Sequence, residues 1–227
     1  MMKQAILISS LTLLPLTLAN AHWYGGFNLG VNSVTVDKEL NYPLIATTPS
    51  FSDFHSSYNN FHAQLLGGRK FAVRDRLHVD VETNFDFYTG RATQNIRNWF
   101  LTAAAGAKEQ LDYGFGLFAL ADYQYNDSFN IYIGPGILTN RFSVSSLNAT
   151  GGNLGVTGSF HDNLTGWGIK TGIANHLNAH TDLIMGYQFN QYQSVSWTAT
   201  EPLSGDALTA RYKPYANLFM IGLQYSV

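Results

Sequence analysis

Hydrophobic and polar residues alternate along several segments of the chain, and the segment from Leu77 to Tyr88 shows the pattern best. Its odd-numbered positions hold Leu, Val, Thr or Phe, whereas its even-numbered positions hold His, Asp, Glu, Asn or Tyr. Successive side chains of a β-strand point to opposite faces, so a period of two predicts a strand with one apolar and one polar face. The segments 165–177 and 181–192 alternate in the same way, and 214–227 has one apolar and one partly polar face.

The same test along the whole chain predicts eight strands, the number found in the smallest membrane barrels. They cover residues 23–33, 59–72, 77–88, 111–125, 129–140, 165–177, 181–192 and 214–227. The tight connections are Arg74-Asp75-Arg76, Asn126-Asp127-Ser128 and Asn178-Ala179-His180, and the long ones are 34–58, 89–110, 141–163 and 193–213. The apolar, alanine-rich segment 98–110 fits a strand or a short helix, and we assign it to the second long connection.

The alternation of short and long connections is typical of outer-membrane barrels, in which the periplasmic turns are short and the external loops are long. A tilted membrane strand needs about 9–11 residues to cross, which the predicted strands supply. Closing the sheet leaves no unpaired strand edge in hydrocarbon. The sequence therefore predicts an all-β fold: an eight-stranded antiparallel up-and-down transmembrane β-barrel with short periplasmic turns and long external loops.

Composition narrows the function classes. Charged residues make up 12% of the chain, and the formal net charge is −2, with the lysines and arginines scattered. A nucleic-acid-binding surface needs clustered positive charge, so we expect no nucleic-acid partner. The chain has no cysteine, so no disulfide stabilises it.

Residues 1–21 have the features of a secretory signal peptide. Lys3 supplies the positive charge, 5–18 the apolar stretch, and Ala19-Asn20-Ala21 the small-residue cleavage site. The alternative is a short N-terminal membrane anchor. We expect cleavage after Ala21, which makes 22–227 the transmembrane β-barrel domain.

Three segments resemble a known family, the outer-membrane-protein-A-type (opacity and porin-like) eight-stranded barrels. Trp23-Tyr24-Gly25-Gly26-Phe27-Asn28-Leu29-Gly30 looks like the first strand of that family, 119–136 like its fourth and fifth strands, and Ile221-Gly222-Leu223-Gln224-Tyr225-Ser226-Val227 like its last strand. The resemblance implies a bacterial outer-membrane location, insertion by the barrel assembly machinery, and contact with outer-membrane lipids and lipopolysaccharide. It does not include the peptidoglycan-binding domain that many members carry, and Val227 stands where the family usually ends in Phe.

Aromatic residues are expected in two rings at the membrane interfaces, where amphipathic side chains lie at headgroup level. The ring near the short turns contains Trp23, Phe71, Tyr125, Phe129 and Tyr225, and the ring near the long loops contains Phe87, Tyr113, Trp167, Phe189 and Tyr215. A soluble barrel with its apolar face inward explains the same alternation. Periodicity alone leaves both interpretations open.

The polar face predicts a charged interior. The residues assigned to it are the acids Asp80, Glu82, Asp86, Asp112, Asp122 and Asp182, the lysines Lys70 and Lys170, and the histidines His62, His78 and His176. Side chains fill an eight-stranded barrel, so we expect an ionic network that plugs the lumen, with Arg91, Arg97 and Arg141 able to balance its acids from the loops. Turns centred on Asp75 and Ala179 place Lys70 opposite Asp80, and His176 opposite Asp182.

Catalytic signals are weak. His55-Ser56-Ser57 is the one candidate for a nucleophile with a neighbouring base, and the histidines show no zinc-binding spacing. We therefore predict no catalytic, metal-binding or cofactor-binding residues and no cofactor. The expected protein is a monomeric, non-enzymatic outer-membrane barrel with a plugged lumen, whose loops serve envelope integrity, adhesion or contact with the surroundings through an unknown external ligand. The alternatives are a lipid A-modifying barrel enzyme and a soluble ligand-binding β-barrel.

Overall fold

The computed structural model describes residues 21–41, 52–97, 104–147, 159–200 and 207–227, and these form strands joined by short turns. The strands are β1 (Ala21–Asn41), β2 (Ser52–Arg74), β3 (Leu77–Tyr88), β4 (Ala92–Arg97), β5 (Ala104–Asn126), β6 (Phe129–Leu147), β7 (Ser159–His176), β8 (Thr181–Tyr192), β9 (Val195–Thr200) and β10 (Ala207–Ser226). Within these ranges no helix is long and apolar enough to cross a membrane. Most of the predicted signal peptide, residues 1–20, lies outside the described residues, and its cleavage stays a prediction.

Eight of the strands close into a ring. The hydrogen-bonded order is β1-β2-β3-β5-β6-β7-β8-β10, every pairing between neighbours is antiparallel, and β10 pairs back onto β1. Closure gives each strand of the ring two partners and removes the unpaired edges that an open sheet would have. The prediction of an eight-stranded up-and-down barrel with short turns at one end is confirmed.

The strand bounds at the opposite, external end were wrong. β1 continues to Asn41 and β2 begins at Ser52, inside the segment predicted as a loop, and β5, β6, β7 and β10 are lengthened in the same direction. From Ala104 onward the alanine-rich segment belongs to β5, whereas residues 98–103 lie outside the described part of the chain. The barrel wall therefore extends well beyond the lengths that a membrane crossing requires.

The short strands β4 and β9 are further findings in segments predicted as loops. β4 pairs with residues 104–109 of β5, just beyond the stretch of β5 that pairs with β3. β9 pairs in the same way with 207–212 of β10, beyond the stretch that pairs with β8. Gly90, at a φ of 93°, lies between β3 and β4, where a side chain would be strained. β4 thus continues the wall above β3, and β9 continues it above β8.

Exposure of the side chains distinguishes a membrane barrel from a soluble one. Along the part of the wall between the aromatic rings, the outward residues are apolar and exposed, as Ile137 is at 67%, and the inward residues are polar and buried, as Asp80 is at 4%. A soluble barrel would have the reverse arrangement. The alternative of a soluble barrel is therefore rejected for this region.

Candidate functional site

The interior nearest the periplasmic turns holds the first group of charged residues. The register pairs Lys70 with Asp80 and His176 with Asp182, as predicted. The shortest contact of Lys70, however, is to Asp122 Oδ2 at 2.5 Å, and its distance to Asp80 Oδ2 is 3.8 Å. His176 Nδ1 lies 2.6 Å from Asp182 Oδ1. The basic residues at this end therefore contact acids on the neighbouring strand and, for Lys70, also an acid on β5, two strands away.

A second group lies midway through the membrane part of the interior. Lys170 Nζ donates to Glu82 Oε1 at 2.5 Å and to Gln64 Oε1 at 3.1 Å, and the Tyr24 hydroxyl donates to Glu82 Oε2 at 3.3 Å. The Lys170 side chain is only 1% exposed. A buried ion pair of this kind has its charges satisfied by partners on other strands, which fixes the strands relative to one another.

A third group continues the network toward the external side. His62 Nε2 lies 3.0 Å from Asp86 Oδ1, which also accepts a hydrogen bond of 2.8 Å from Gln64 Nε2. Gln64 Nε2 in turn donates to Gln188 Oε1 across the barrel. Above them the Tyr192 hydroxyl donates to Asn140 Oδ1 at 2.9 Å. Polar side chains thus bridge opposite walls at several levels.

Little space remains between these groups. The cavity in the lower interior, lined by residues such as Tyr24, Asp80, Asp122 and Lys170, has a volume of about 10 Å³. A cavity needs about 10–15 Å³ to hold one water molecule. The lower lumen is therefore filled by side chains, as an eight-stranded barrel permits.

Beyond the outer aromatic ring the wall continues as a region that we call the collar. It consists of residues 34–41, 52–60, 92–97, 104–112, 141–147, 159–164, 195–200 and 207–214. Its interior is mainly apolar and buried, with Val36, Leu111, Phe142 and Tyr212 among its members. Outward positions such as Asp37 are exposed. The collar therefore has the polarity of a water-soluble barrel, the opposite of the membrane part below it.

One ion pair is enclosed in this apolar interior. Lys38 Nζ lies 2.5 Å from Glu109 Oε1, and Ser56 donates to Glu109 Oε2 at 2.8 Å. Burial, with the Glu109 charge nearby, raises the pKa of the Tyr212 hydroxyl. Sequence reasoning missed Lys38 and Glu109 because both lie in segments predicted as loops.

The inward assignment of Asp112 was wrong. A β-bulge in β5 shifts the register between Leu111 and Gly114, so Leu111 faces inward while Asp112 contacts outward groups of β6. Ser143 donates to Asp112 Oδ2, and Arg141 Nε lies 3.9 Å from the same oxygen. Arg141 therefore pairs with Asp112 on the outside of the barrel and does not fold over the lumen. The cation beside the buried acid of the collar, Glu109, is Lys38.

The remaining candidates do not assemble into a reactive centre. His55 and Ser57 lie on an exposed stretch of β2, and Ser57 Oγ forms its hydrogen bond with Thr35 Oγ1 at 3.0 Å. Arg91 is exposed beside β4, and the side chain of Arg97 lies outside the described part. The described residues contain no group of three or more His, Asp or Glu side chains arranged to hold a metal ion.

A groove of about 850 Å³ lies on the wall formed by β5, β6, β7 and β8. Its lining includes the outward side chains Phe115, Ile137 and Trp167, with Thr139 and Thr165 in the row above them. This surface belongs to the apolar belt, which lipid chains cover. The groove is therefore part of the lipid-facing wall and not an entrance to the lumen.

Comparison with known protein sequences finds no match. No protein-family model matches the sequence. No curated protein matches it either.

Solved outer-membrane proteins resemble the structure over most of its length. A major outer membrane protein from Thermus thermophilus has a TM-score of 0.55 at 13% identity, covering 92% of this chain and 100% of that chain. The outer membrane protein OprG from Pseudomonas aeruginosa has a TM-score of 0.51 at 13% identity, covering 89% and 96%. The outer membrane protease OmpT from Escherichia coli has a TM-score of 0.51 at 9% identity, covering 91% and 97%. The chain has the fold of bacterial outer-membrane β-barrels.

Proposed function

We propose that this protein is a non-conducting, non-enzymatic outer-membrane barrel that carries the collar above the membrane for contact with the surroundings. The observation that supports this most directly is the filled interior. The cavity between the ionic groups of the lower lumen has a volume of about 10 Å³, and the apolar core of the collar lies above it. A hydrated ion would have to displace both the salt bridges and the apolar packing.

The collar gives the second argument. Strands that only cross the membrane need about 9–11 residues, whereas β1 has 21 and β2 has 23. The additional length carries the ends of these strands away from the bilayer. A packed core in this region supports a rigid platform, which favours recognition over transport.

An enzymatic role has less support. A nucleophilic serine needs a base within hydrogen-bond reach and a further group to orient that base. Ser57 instead shares its hydrogen bond with Thr35 on the neighbouring strand. Lipid A from cells that express the wild type and the variant with both His55→Ala and Ser57→Ala should have the same mass spectrum, and a modification lost in the variant would favour the lipid A-modifying alternative.

The conductance of the purified protein in planar bilayers tests the plugged lumen. We expect little or no steady conductance from the wild type. A variant in which Phe142→Ala is combined with Glu82→Ala and Lys170→Ala removes packing from both compartments and should conduct more. Large, stable, cation-selective channels formed by the wild type would contradict the proposal.

The contact role is tested on intact cells. Replacing 42–51 or 148–158 with short Gly-Ser linkers should reduce cell attachment or resistance to detergent while the barrel still inserts. A matched change in the periplasmic turn, Asp127→Asn, should leave both unchanged. Equal behaviour of all variants would contradict a contact role for these two segments. The monomeric state, insertion by the assembly machinery and contact with lipopolysaccharide belong to the same proposal.

A further inference from the structure

One arginine lies on the lipid-facing side of the barrel wall. Arg69 pairs in register with Trp23 of β1 and Val81 of β3, and all three side chains are on the outward face. Its neighbour Lys70 points inward and is neutralised by Asp122. Trp23 and Phe71 belong to the periplasmic aromatic ring, so Arg69 lies at the level where the hydrocarbon meets the headgroups of the periplasmic leaflet.

Two aromatic rings hold the Arg69 guanidinium. Its central carbon lies 5.1 Å from the centre of the Trp23 ring and 5.3 Å from that of Phe71. Such contacts orient a planar guanidinium and leave its edge free to donate hydrogen bonds. Phe71 is closer to the periplasmic turn than Arg69 is, so the side chain extends from its backbone toward the headgroups.

Arg69 has no acidic partner within the described residues. It forms no ion pair or hydrogen bond there, and its Nε is buried without a hydrogen-bond acceptor. A cation at the membrane midplane would cost about 2–4 kcal/mol, but near the interface the cost falls to about 0–1 kcal/mol. The position is therefore tolerated, and an anion reaching it from the membrane would be bound.

The neighbouring turn adds more positive charge of the same kind. Arg74 and Arg76 are exposed at the end of β2 and in the turn before β3, with Asp75 between them. Neither arginine side chain forms an ion pair or hydrogen bond among the described residues. The other two periplasmic turns, 126–128 and 178–180, contain no lysine or arginine. Positive charge at this end of the barrel is thus concentrated beside Arg69.

We propose that Trp23, Arg69 and Phe71, together with Arg74 and Arg76, form a binding site for the headgroup of an anionic phospholipid in the periplasmic leaflet. The lipid phosphate accepts hydrogen bonds from the guanidinium that the two rings orient. The arginines of the turn attract the negative charge of the headgroup. The acyl chains lie against the apolar outward face of β2 and β3, which includes Leu65 and Val81.

Native mass spectrometry of the full chain with equal amounts of phosphatidylglycerol and phosphatidylethanolamine tests the site. The wild type should retain phosphatidylglycerol preferentially, and Arg69→Gln should weaken that binding about fivefold, the effect of one basic residue near an anionic lipid surface. Arg69→Lys keeps the charge but loses the planar stacking, and should lie between the two. Arg91→Gln makes the same charge change at the external end and should bind like the wild type.

Several outcomes would overturn the proposal. They are an equal loss of binding in Arg69→Gln and Arg91→Gln, no preference between the two phospholipids in the wild type, and displacement of phosphatidylglycerol by added lipopolysaccharide. If Arg69→Gln fails to fold, the exposed pair Arg74→Gln and Arg76→Gln replaces it. That double variant should lower the preference and make it less sensitive to salt, because screened charges supply part of the binding; an unchanged preference and salt dependence would also reject the site.

Discussion

At the scale of residues, the barrel is held by pairs of side chains that are distant in sequence. The sequence predicts which residues face inward, because inward and outward positions alternate, and it predicts partners across tight turns such as Lys70 and Asp80. It does not predict the closer contact of Lys70 with Asp122 or that of Lys170 with Glu82, since these residues lie 52 and 88 positions apart. Such partners depend on how the tilted strands stack around the ring.

The pair Glu82 and Lys170 gives a test of this buried network. Glu82→Gln leaves Lys170 charged in the interior without its carboxylate, and we expect a loss of about 3–5 kcal/mol in the free energy of unfolding. Adding Lys170→Met removes the unpaired charge and should restore part of the loss. Denaturant unfolding of the refolded protein in detergent measures both. Strictly additive effects of the two substitutions would show that the pair is not coupled.

The lipid-facing surface gives a second prediction at this scale. Ile221 is exposed on β10, between the aromatic rings marked by Tyr225 and Tyr215, and pairs in register with Leu29 and Met185. Ile221→Arg places a charge in hydrocarbon and should lower the free energy of unfolding in lipid vesicles by about 2–4 kcal/mol.

Ser57→Arg is the matched control for Ile221→Arg. Ser57 is exposed on the outward face of the collar, and a substitution there should change the free energy of unfolding by no more than about 0.5 kcal/mol. A cost for Ser57→Arg equal to that of Ile221→Arg would place the collar inside the bilayer and contradict the assignment of the membrane part.

At the scale of elements, the polarity of each long strand inverts along its length. In β1 the apolar residue Leu29 faces outward, whereas Val34 and Val36 face inward. β10 shows the same change between Ile221, which is outward in the membrane part, and Tyr212, which is inward in the collar. In β1 and β10 the apolar positions thus move from odd to even numbers at the point where the strand leaves the membrane, because lipid surrounds one part and water the other.

This inversion explains why the strand ends were missed from the sequence. A search for one unbroken alternation stops where the parity changes, so 34–58 reads as a loop although β1 and β2 continue through most of it. The bulge in β5 has a similar effect, since one added residue turned Asp112 outward and left Glu109 as the buried acid. Continuing the alternation of β1 and β2 with inverted parity would have found their external ends. It would not have found the bulge, because the apolar residues on the two sides of it, Leu111 and Phe115, are both odd-numbered.

Two phenylalanines test whether the collar has a packed core. Phe142 is fully buried in the collar, 5.8 Å from the ring of Tyr212, whereas Phe219 faces lipid. Phe142→Ala should leave a cavity and lower the free energy of unfolding by about 3–5 kcal/mol. Phe219→Ala leaves a space that lipid can fill and should cost less.

Limited proteolysis separates the two phenylalanine variants further. Loss of collar packing in Phe142→Ala should expose β1 and β2 between residues 34 and 60 to external protease, while the membrane part stays protected by the bilayer. Phe219→Ala should retain the digestion pattern of the wild type. Identical patterns for both variants would show that the collar does not depend on its apolar interior.

At the scale of the whole molecule, the topology could be predicted because few arrangements of these strands are possible in a membrane. Eight alternating segments with no unpaired edge in hydrocarbon can only close on themselves, and tight turns force neighbouring strands to be antiparallel. The sequence alone left open whether the apolar face pointed to lipid or to a core. In the structure both occur, in different parts of one continuous wall, which is why neither interpretation of the periodicity described the entire chain.

Closure of the ring should make the folded protein compact in detergent until it is heated. We expect extraction only with detergent, and faster gel migration of the unheated protein than of the boiled protein, since a closed barrel has no strand edge at which unfolding can begin.

Gly134 is a sensitive point in the closure of the ring, because a Cβ atom there would lie 1.9 Å from the backbone oxygen of Ala119 on β5. Gly134→Val should therefore abolish the fast-migrating band, whereas Ile133→Val, one position away on the lipid-facing side, should retain it. A fast band in the Gly134 variant would mean that β5 and β6 can separate there without opening the barrel, and identical migration of heated and unheated wild type would contradict the closed ring itself.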